Sequence, residues 1–468
     1  MMVDTVFPHV VLNPNCSIAL VSQLADAIMT QIQNGALPSH KRLPSIRRMA
    51  SHCKISPITV VNAYARLVSA GLLDVRDRGG YYVKPLPLLA TPRPPIDSLW
   101  LLQHAYEEHA PIIKAGCGWL AQPYLFTNAV KQGLKALEQS PSLANMLDYG
   151  SPYGLIALRS VIRFLLAKRD IPCTEDGIIL THGASQALEL VLRAFTQPDD
   201  TVLVDDPGYC NLYPLLQSLG LKAVGVVRNE SGPCPELFER ALKKHPAKLF
   251  VTTSVLHNPT GSCVTAHNVA TIQAIAAKYG IAIVEDNIFL DLTPESQPCH
   301  ARHGKLQNII HISSFSKTIA PGLRVGYLAC SPDVGKRILR YKMAAGLTCA
   351  GLNEAMVFNI IKNGQYGYHL TDLRERLFQA QKTVCHSFLA IGMKLYIRPM
   401  GGLFAWARFH KEVNTHSVSE RAAAEDIMLA PGNLFRPERS ESQWFRFNVT
   451  HANQSRLYTF LERENKGR

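Results

Sequence analysis

The sequence predicts a chain in two parts: a small helical head closed by a two-stranded hairpin, and a large α/β body built on a mainly parallel sheet. Three observations predict it. A length of 468 residues exceeds what one small core organises. The stretch KPLPLLATPRPP, from Lys84 to Pro95, holds five prolines. They deny it helix hydrogen bonds and a sheet ladder, so it reads as an extended linker. From about Leu143 onward, strand-like and helix-like runs alternate, the pattern of a parallel sheet with helices on both faces. The expected boundaries are a head over 1–84, a linker over 85–110 and a body over 111–468.

Composition narrows the class. Hydrophobic residues at 47% and charged ones at 18% describe an ordinary globular protein, and a formal net charge of +13 suits an acidic polymer as partner. The 11 cysteines form no CxxC pair and no cluster of zinc-site spacing, so no metal is expected and they read as reduced thiols of a cytoplasmic protein. The N-terminus has no basic region followed by a long apolar run, and no segment is apolar enough to span a bilayer. A secreted or membrane protein is therefore not expected.

In the head, Leu20, Val21, Leu24, Ala25, Ile28, Met29 and Ile32 recur at three and four, an amphipathic helix over Ile18 to Asn34 capped by Gly35. Ser45 caps a second short helix from Ile46. Ser56 followed by Pro57 opens a third that runs to Ala70 and stops at Gly71. Two helices across a short turn suit a helix-turn-helix whose second member presents Ser56, Thr59 and Asn62 to the major groove of duplex DNA. Val60, Val61, Tyr64 and Leu67 form its buried side. Leu72 to Arg76 and Tyr81 to Val83 read as strands around Asp77, Arg78, Gly79 and Gly80, a wing that sets Arg76 and Arg78 against phosphates. The runs LPSIRRMA, SPITVVNAYARLVSAGLL and RDRGGYYV resemble the winged helix-turn-helix domain of the GntR regulators. That resemblance implies that Arg47 and the start of the third helix contact DNA; a three-helix dimerisation module would leave the wing unexplained.

In the body, chemistry is expected at strand ends. Ile178, Ile179 and Leu180 form a strand, and Gly183, Ala184 and Ser185 lead from it into a helix over Ala187 to Phe195, offering free N–H groups and a positive dipole end to a phosphate. A second strand, Ile309 to Ser313, leads into Ser314, Phe315, Ser316 and Lys317, with Arg324 seven residues further on. A lysine among hydroxyl residues can form an imine with an aldehyde while its neighbours hold an anionic tail.

Taken together, GASQ at Gly183, DDPGY ending at Tyr209, HNPTG with Asn258, EDN with Asp286, SSFSK with Lys317 and GLRVGY with Arg324 resemble the fold type I, or aspartate aminotransferase, group of pyridoxal-phosphate-dependent transferases. The likeness spans roughly Tyr149 to the C-terminus, and with the head it resembles the MocR subfamily of GntR regulators. It implies pyridoxal 5'-phosphate held as a Schiff base on Lys317, with Asp286 paired to the pyridine nitrogen and keeping the ring an electron sink. Asn258 is implied to bond the phenolic oxygen and Tyr209 to stack on the ring. The phosphate falls to Ala184, Ser185, Ser314 and Arg324, with Tyr149 reaching in from the partner subunit of a homodimer. Arg446, in WFRFNV, is implied to fork onto a ligand carboxylate.

One departure matters. The family usually sets a tyrosine two or three residues after the aspartate, donating to the phenolic oxygen; here those positions are Ile288 and Phe289. Loss of that donor disfavours turnover more than cofactor binding. The leading expectation is therefore a DNA-binding transcriptional regulator that senses a small amino acid or amine. The alternative is a working aminotransferase acting on an amino acid, with the head as accessory. A dimer scaffold with a dead site fits the complete set of cofactor contacts poorly.

Overall fold

The computed structural model describes residues 10, 12–14, 16, 18–33, 37–38, 40–76, 80–84, 112–141, 143, 146–294 and 296–466, the side chains of Gln33 and Arg76 excepted. The chain divides into two compact units, Met1–Pro95 and Ile96–Arg468. The proline-rich linker expected over 85–110 lies outside the described residues.

The first unit contains α1 (Leu20–Gln33), α2 (Ile46–Cys53), α3 (Pro57–Ser69) and a hairpin of β1 (Leu73–Arg76) and β2 (Gly80–Val83). The caps fall where the serines predict: Ser45 accepts from the Arg48 N–H and Ser56 from the Thr59 N–H, each satisfying an orphan donor of a first turn. Leu24, Ala25, Ile28 and Ile32 of α1 pack on Met49, Val60, Ala63, Tyr64 and Leu67. The buried Tyr64 phenol donates to the Pro44 carbonyl at 3.1 Å, so this apolar core leaves its one hydroxyl satisfied. One expectation is corrected: Val61 is only partly buried, and Ala63, one turn before Leu67, takes the core position. The antiparallel hairpin pairs Leu73 with Val83 and Arg76 with Gly80. Its turn residues Asp77, Arg78 and Gly79 lie outside the described residues.

The second unit is organised by an eight-stranded sheet containing β3 (Ile178–Thr181), β4 (Thr201–Asp206), β5 (Lys222–Asn229), β6 (Gly232–Pro233), β7 (Ala247–Thr252), β8 (Ala282–Asp286), β9 (Ile309–Ser314) and β10 (Gly326–Ala329), in the order β3-β10-β9-β8-β7-β4-β5-β6. From β9 to β5 the pairs are parallel, whereas β10 runs antiparallel to both β3 and β9, and β6 antiparallel to β5. Alternation along each strand separates two cores. Leu203, Phe250 and Ile283 enter one cluster, and Val202, Val204, Val251 and Val284 enter the other.

Two features depart from the sequence expectation. The helix after β3 spans Ala184–Phe195, beginning before Ala187, because Gly183 at φ 84° takes the left-handed conformation that lets the helix start at once. A second, four-stranded antiparallel sheet, not anticipated, contains β11 (Lys394–Leu395), β12 (Phe404–Arg408), β13 (Ala430–Pro431) and β14 (Trp444–Asn448) in the order β11-β12-β14-β13. Arg446 sits on β14 opposite Trp406 and Ala430.

Candidate functional site

The carboxyl ends of β3, β4, β7, β8 and β9 open onto a cavity of about 660 Å³. Its lining includes Ala184, Ser185, Tyr209, Asn258, Asp286, Ser314, Lys317, Arg324 and Arg446, so residues from six separate stretches of chain meet in one place. Tyr149 does not line it; that residue is 78% exposed.

Asp286 ends β8 with its carboxylate buried, and its Oδ1 has no hydrogen-bond partner. Burial drives its pKa up from 3.8 to about 6, against the lowering influence of the Ile288 N–H and of the nearby Lys317 and His311. A buried, unmatched acceptor at the bottom of a cavity fits a ligand N–H. Lys317 ends the short turn after β9 and donates from Nζ to the Gly118 carbonyl at 2.8 Å. Burial lowers its pKa from 10.5 to about 8, helped by Arg446 and Arg324 and opposed by Cys117 and Asp286. That places a substantial fraction of neutral amine at physiological pH, the form that attacks a carbonyl.

The phosphate end is built by close approach. A Cβ on Gly326 would lie 2.7 Å from the Gly183 backbone, where there is no room for it, and one on Gly183, at φ 84°, would be strained and would have to displace Arg324 Nη2 at 2.7 Å. Arg324 donates to the carbonyls of His182 at 3.0 Å and Pro321 at 3.3 Å, which holds its guanidinium beside the first turn of the helix Ala184–Phe195. The N–H groups of that first turn have no intrahelical acceptor and face an anion favourably. Ser314 Oγ is engaged with the Val325 carbonyl at 3.1 Å and with Ser316 Oγ at 2.9 Å. Ser316, one of the hydroxyl neighbours of Lys317 in the SSFSK run but not among the implied phosphate contacts, also lines the cavity.

Arg446 is buried between Phe404 and Phe435, at 4.7 and 4.8 Å from their ring centroids. It donates to Asn258 Oδ1 at 2.9 Å and to the Gly116 carbonyl at 2.6 Å, and its Nε is unmatched. Tyr209 lines the same cavity, its phenol accepting from Asn211 Nδ2 at 3.3 Å; burial pushes its pKa to about 12. Ile288 and Phe289 line the wall where a tyrosine was looked for, and neither offers a hydroxyl.

The segment Gly116, Cys117, Gly118 and Trp119 was also missed. Its carbonyls take the hydrogen bonds of Arg446 and Lys317, while Asn448 Nδ2 donates to Cys117 O at 3.2 Å and Trp119 O at 2.6 Å. A short glycine-containing stretch next to the linker carries no chemical signature of its own, so only tertiary structure reveals it.

On the first unit, Arg47, Ser56 and Asn62 are exposed and Thr59 is partly so. The Ser56 and Thr59 hydroxyls lie 2.8 Å apart as part of the cap. Ile58, unremarked in the sequence, is 67% exposed on the same turn, an apolar group of the kind that meets a thymine methyl. The Arg76 side chain and Arg78 lie outside the described residues.

Fold and site together define a two-part protein, a winged helix-turn-helix unit and a unit of the fold type I aminotransferase class. The chain belongs to the class I and II aminotransferase family, which it matches over residues 121–463, and its head matches the gntR family of bacterial regulatory proteins over residues 20–83. It is a transcription regulator with a GntR DNA-binding domain and an aminotransferase-like domain, the pairing of the MocR subfamily. Among its relatives are the uncharacterized HTH-type transcriptional regulators YdcR of Escherichia coli, 26% identical over 91% of this chain and 94% of that protein, and YisV of Bacillus subtilis, 26% identical over 95% of each. The second unit resembles the crystal structure of Pyrococcus horikoshii kynurenine aminotransferase in complex with PMP, with TM-score 0.72 and 22% identity over 79% of this chain and 93% of that one. At that identity the likeness establishes the fold.

Proposed function

We propose that the chain is a cytoplasmic, homodimeric regulator that binds operator DNA through its head, over 1–84, and senses a small amino acid or amine through pyridoxal phosphate held on Lys317. The observation that carries this reading is the meeting of a buried carboxylate and a half-buried lysine in one cavity. Asp286 Oδ1 has no protein partner, and burial lowers the Lys317 pKa to about 8. A buried carboxylate with an unmatched oxygen is costly unless a ligand completes it.

The residues fit pyridoxal phosphate. Asp286 would hold the proton of the ring nitrogen, Asn258 the phenolic oxygen, Tyr209 the ring face, and Ala184, Ser185, Ser314 and Arg324 the phosphate, with Tyr149 of one copy reaching toward its partner. When bound, the cofactor supplies an aldehyde carbon that reacts reversibly with primary amines. Lys317, neutral once it gives up its proton, would be the protein's own amine able to hold the cofactor. Arg446 exchanges a carbonyl acceptor for the effector's carboxylate. The wall at Ile288 and Phe289 offers no hydroxyl to the phenolic oxygen that Asn258 would hold, which supports sensing over repeated turnover.

The test adds a panel of amino acids and amines to the purified full chain, following cofactor absorption and operator binding in the same samples. The expected result is an effector that changes both, with operator DNA changing effector affinity by the same factor. Borohydride reduction should leave the pyridoxyl group on Lys317. Label on another lysine, or fast multi-cycle transamination with untouched operator affinity, would overturn the reading.

A further inference from the structure

Asp205, in β4, is a buried carboxylate that does not line the cavity and has no part in the reading above. Its Oδ2 accepts from the Thr253 N–H at 3.1 Å, from Thr252 Oγ1 at 2.9 Å and from Arg228 Nη1 at 3.2 Å. Arg228 lies on β5 and Thr252 ends β7, the two strands that flank β4, so one carboxylate ties three adjacent strands together.

The same oxygen lies 3.5 Å from His257 Nε2, while His257 Nδ1 lies 2.8 Å from Thr260 Oγ1. Burial and Arg228 depress the His257 pKa to about 4 against the pull of Asp205, so the ring is neutral and carries one proton at physiological pH. With that proton on Nε2 it faces the carboxylate, and Nδ1 accepts from the Thr260 hydroxyl. The next residue is Asn258. Its Oδ1 accepts from Arg446 Nη1 at 2.9 Å, which leaves Nδ2 as the group able to donate toward the cavity that Asn258 lines.

The side chains of Arg228 and Asp205 are 0% and 3% exposed, yet Arg228 Nε and Nη2 have no hydrogen-bond partner. A buried ion pair left partly unmatched is a weak source of stability, but moving either ion strands the other, which makes the pair a strong geometric constraint. Burial works to raise the Asp205 pKa, while Arg228, His257 and the Thr253 N–H hold it below its ordinary value, so the charge persists.

We propose that Asp205 is a positioning residue, which through Thr252, Thr253 and His257 fixes the loop after β7 and so aims Asn258 at the cofactor's phenolic oxygen. This rests on the cofactor reading above and adds a residue that reaches the ring only through others.

The experiment reads the pH midpoint of the absorption change of pyridoxal phosphate bound to the full chain. A donor on the phenolic oxygen weakens that oxygen's hold on the proton the bound cofactor loses, so loss of the donor raises the midpoint. Asp205→Asn is expected to raise it by about one pH unit, a tenfold gain in proton affinity. Asn258→Ala should raise it at least as far, and the double variant no further than Asn258→Ala alone, since a residue acting through Asn258 has nothing left to act on. An unchanged midpoint in Asp205→Asn, or a shift that adds in full to that of Asn258→Ala, overturns the proposal and leaves the cofactor reading intact. Where Asp205→Asn does not fold, the Thr252 pair decides. Thr252→Val, which removes a donor to the carboxylate, should raise the midpoint, and Thr252→Ser, which keeps the hydroxyl, should restore it; equal midpoints in the two overturn the proposal. An unsubstituted chain that shows no cofactor absorption overturns the cofactor reading and this inference with it.

Discussion

Replacing Asp286 by asparagine should make the cofactor-free fold more stable and the cofactor-bound protein weaker. The carboxyl titrates at about 6 in the folded chain against 3.8 ordinarily, chiefly because burial disfavours its charge. The folded state therefore holds the proton more tightly than the unfolded chain does. Its contribution to stability is full below the unfolded value and is lost as pH rises through the folded one, costing about 3 kcal/mol above pH 6. About half of that loss has occurred by pH 5, so a further 1–2 kcal/mol, roughly, develops between pH 5 and 8. Asparagine carries no such titration, though its amide hydrogens reduce the gain when they find no acceptor. Denaturation of both cofactor-free proteins at the two pH values isolates the local effect, because groups away from the cavity titrate alike in each and Lys317, whose pKa Asp286 raises, shifts with it. The advantage of Asp286→Asn over the unmodified chain should grow from pH 5 to pH 8, while its cofactor affinity falls. An advantage that is equal at the two pH values would refute the idea that a buried carboxylate with one unmatched oxygen is stored in this cavity.

Three further outcomes are expected. Capture of pyridoxal phosphate by the cofactor-free protein should accelerate with pH up to about 8 and then level off, since Lys317 reacts as the neutral amine and burial holds its pKa there; a rate that keeps climbing toward the ordinary lysine value would place the reacting lysine in water. Gly183→Val should abolish cofactor retention measured by gel filtration, because its Cβ would meet Arg324 Nη2 at 2.7 Å and its backbone sits at φ 84°; retained cofactor would mean the phosphate is bound elsewhere. Arg47→Ala should weaken operator binding at all sequences and reduce the magnitude of the slope of log affinity against log salt by about 0.9, the signature of one lost phosphate contact; an unchanged slope would put Arg47 away from the DNA backbone.

The sequence is most informative where function is concentrated in consecutive residues. Ser45, Ser56 and Pro57 announce helix starts because capping is a local transaction between a side chain and the next turn. Gly183, Asp286 and Lys317 stand out because each lies at a strand end, where backbone geometry and catalytic chemistry coincide within a few residues. Long-range placement carries no such signal. Val61 and Ala63 of α3 differ by half a turn, and which of them enters the core depends on the approach of α1, not on hydrophobicity. The four-stranded sheet escapes notice for the same reason: β11 and β13 are two residues each and find their partners only across long stretches of chain. Yet that sheet carries Arg446, and the segment Gly116 to Trp119 joins it to Lys317, in the turn after β9, through the carbonyls of Gly116 and Gly118. The two cations that would receive an effector's carboxylate and yield to its amine are thus held by one short loop. A cofactor on Lys317 would release its tether to Gly118, an effector carboxylate on Arg446 would compete with the tether to Gly116, and differential affinity for the tethered and released loop is the physical requirement for a binding event to become a regulatory one.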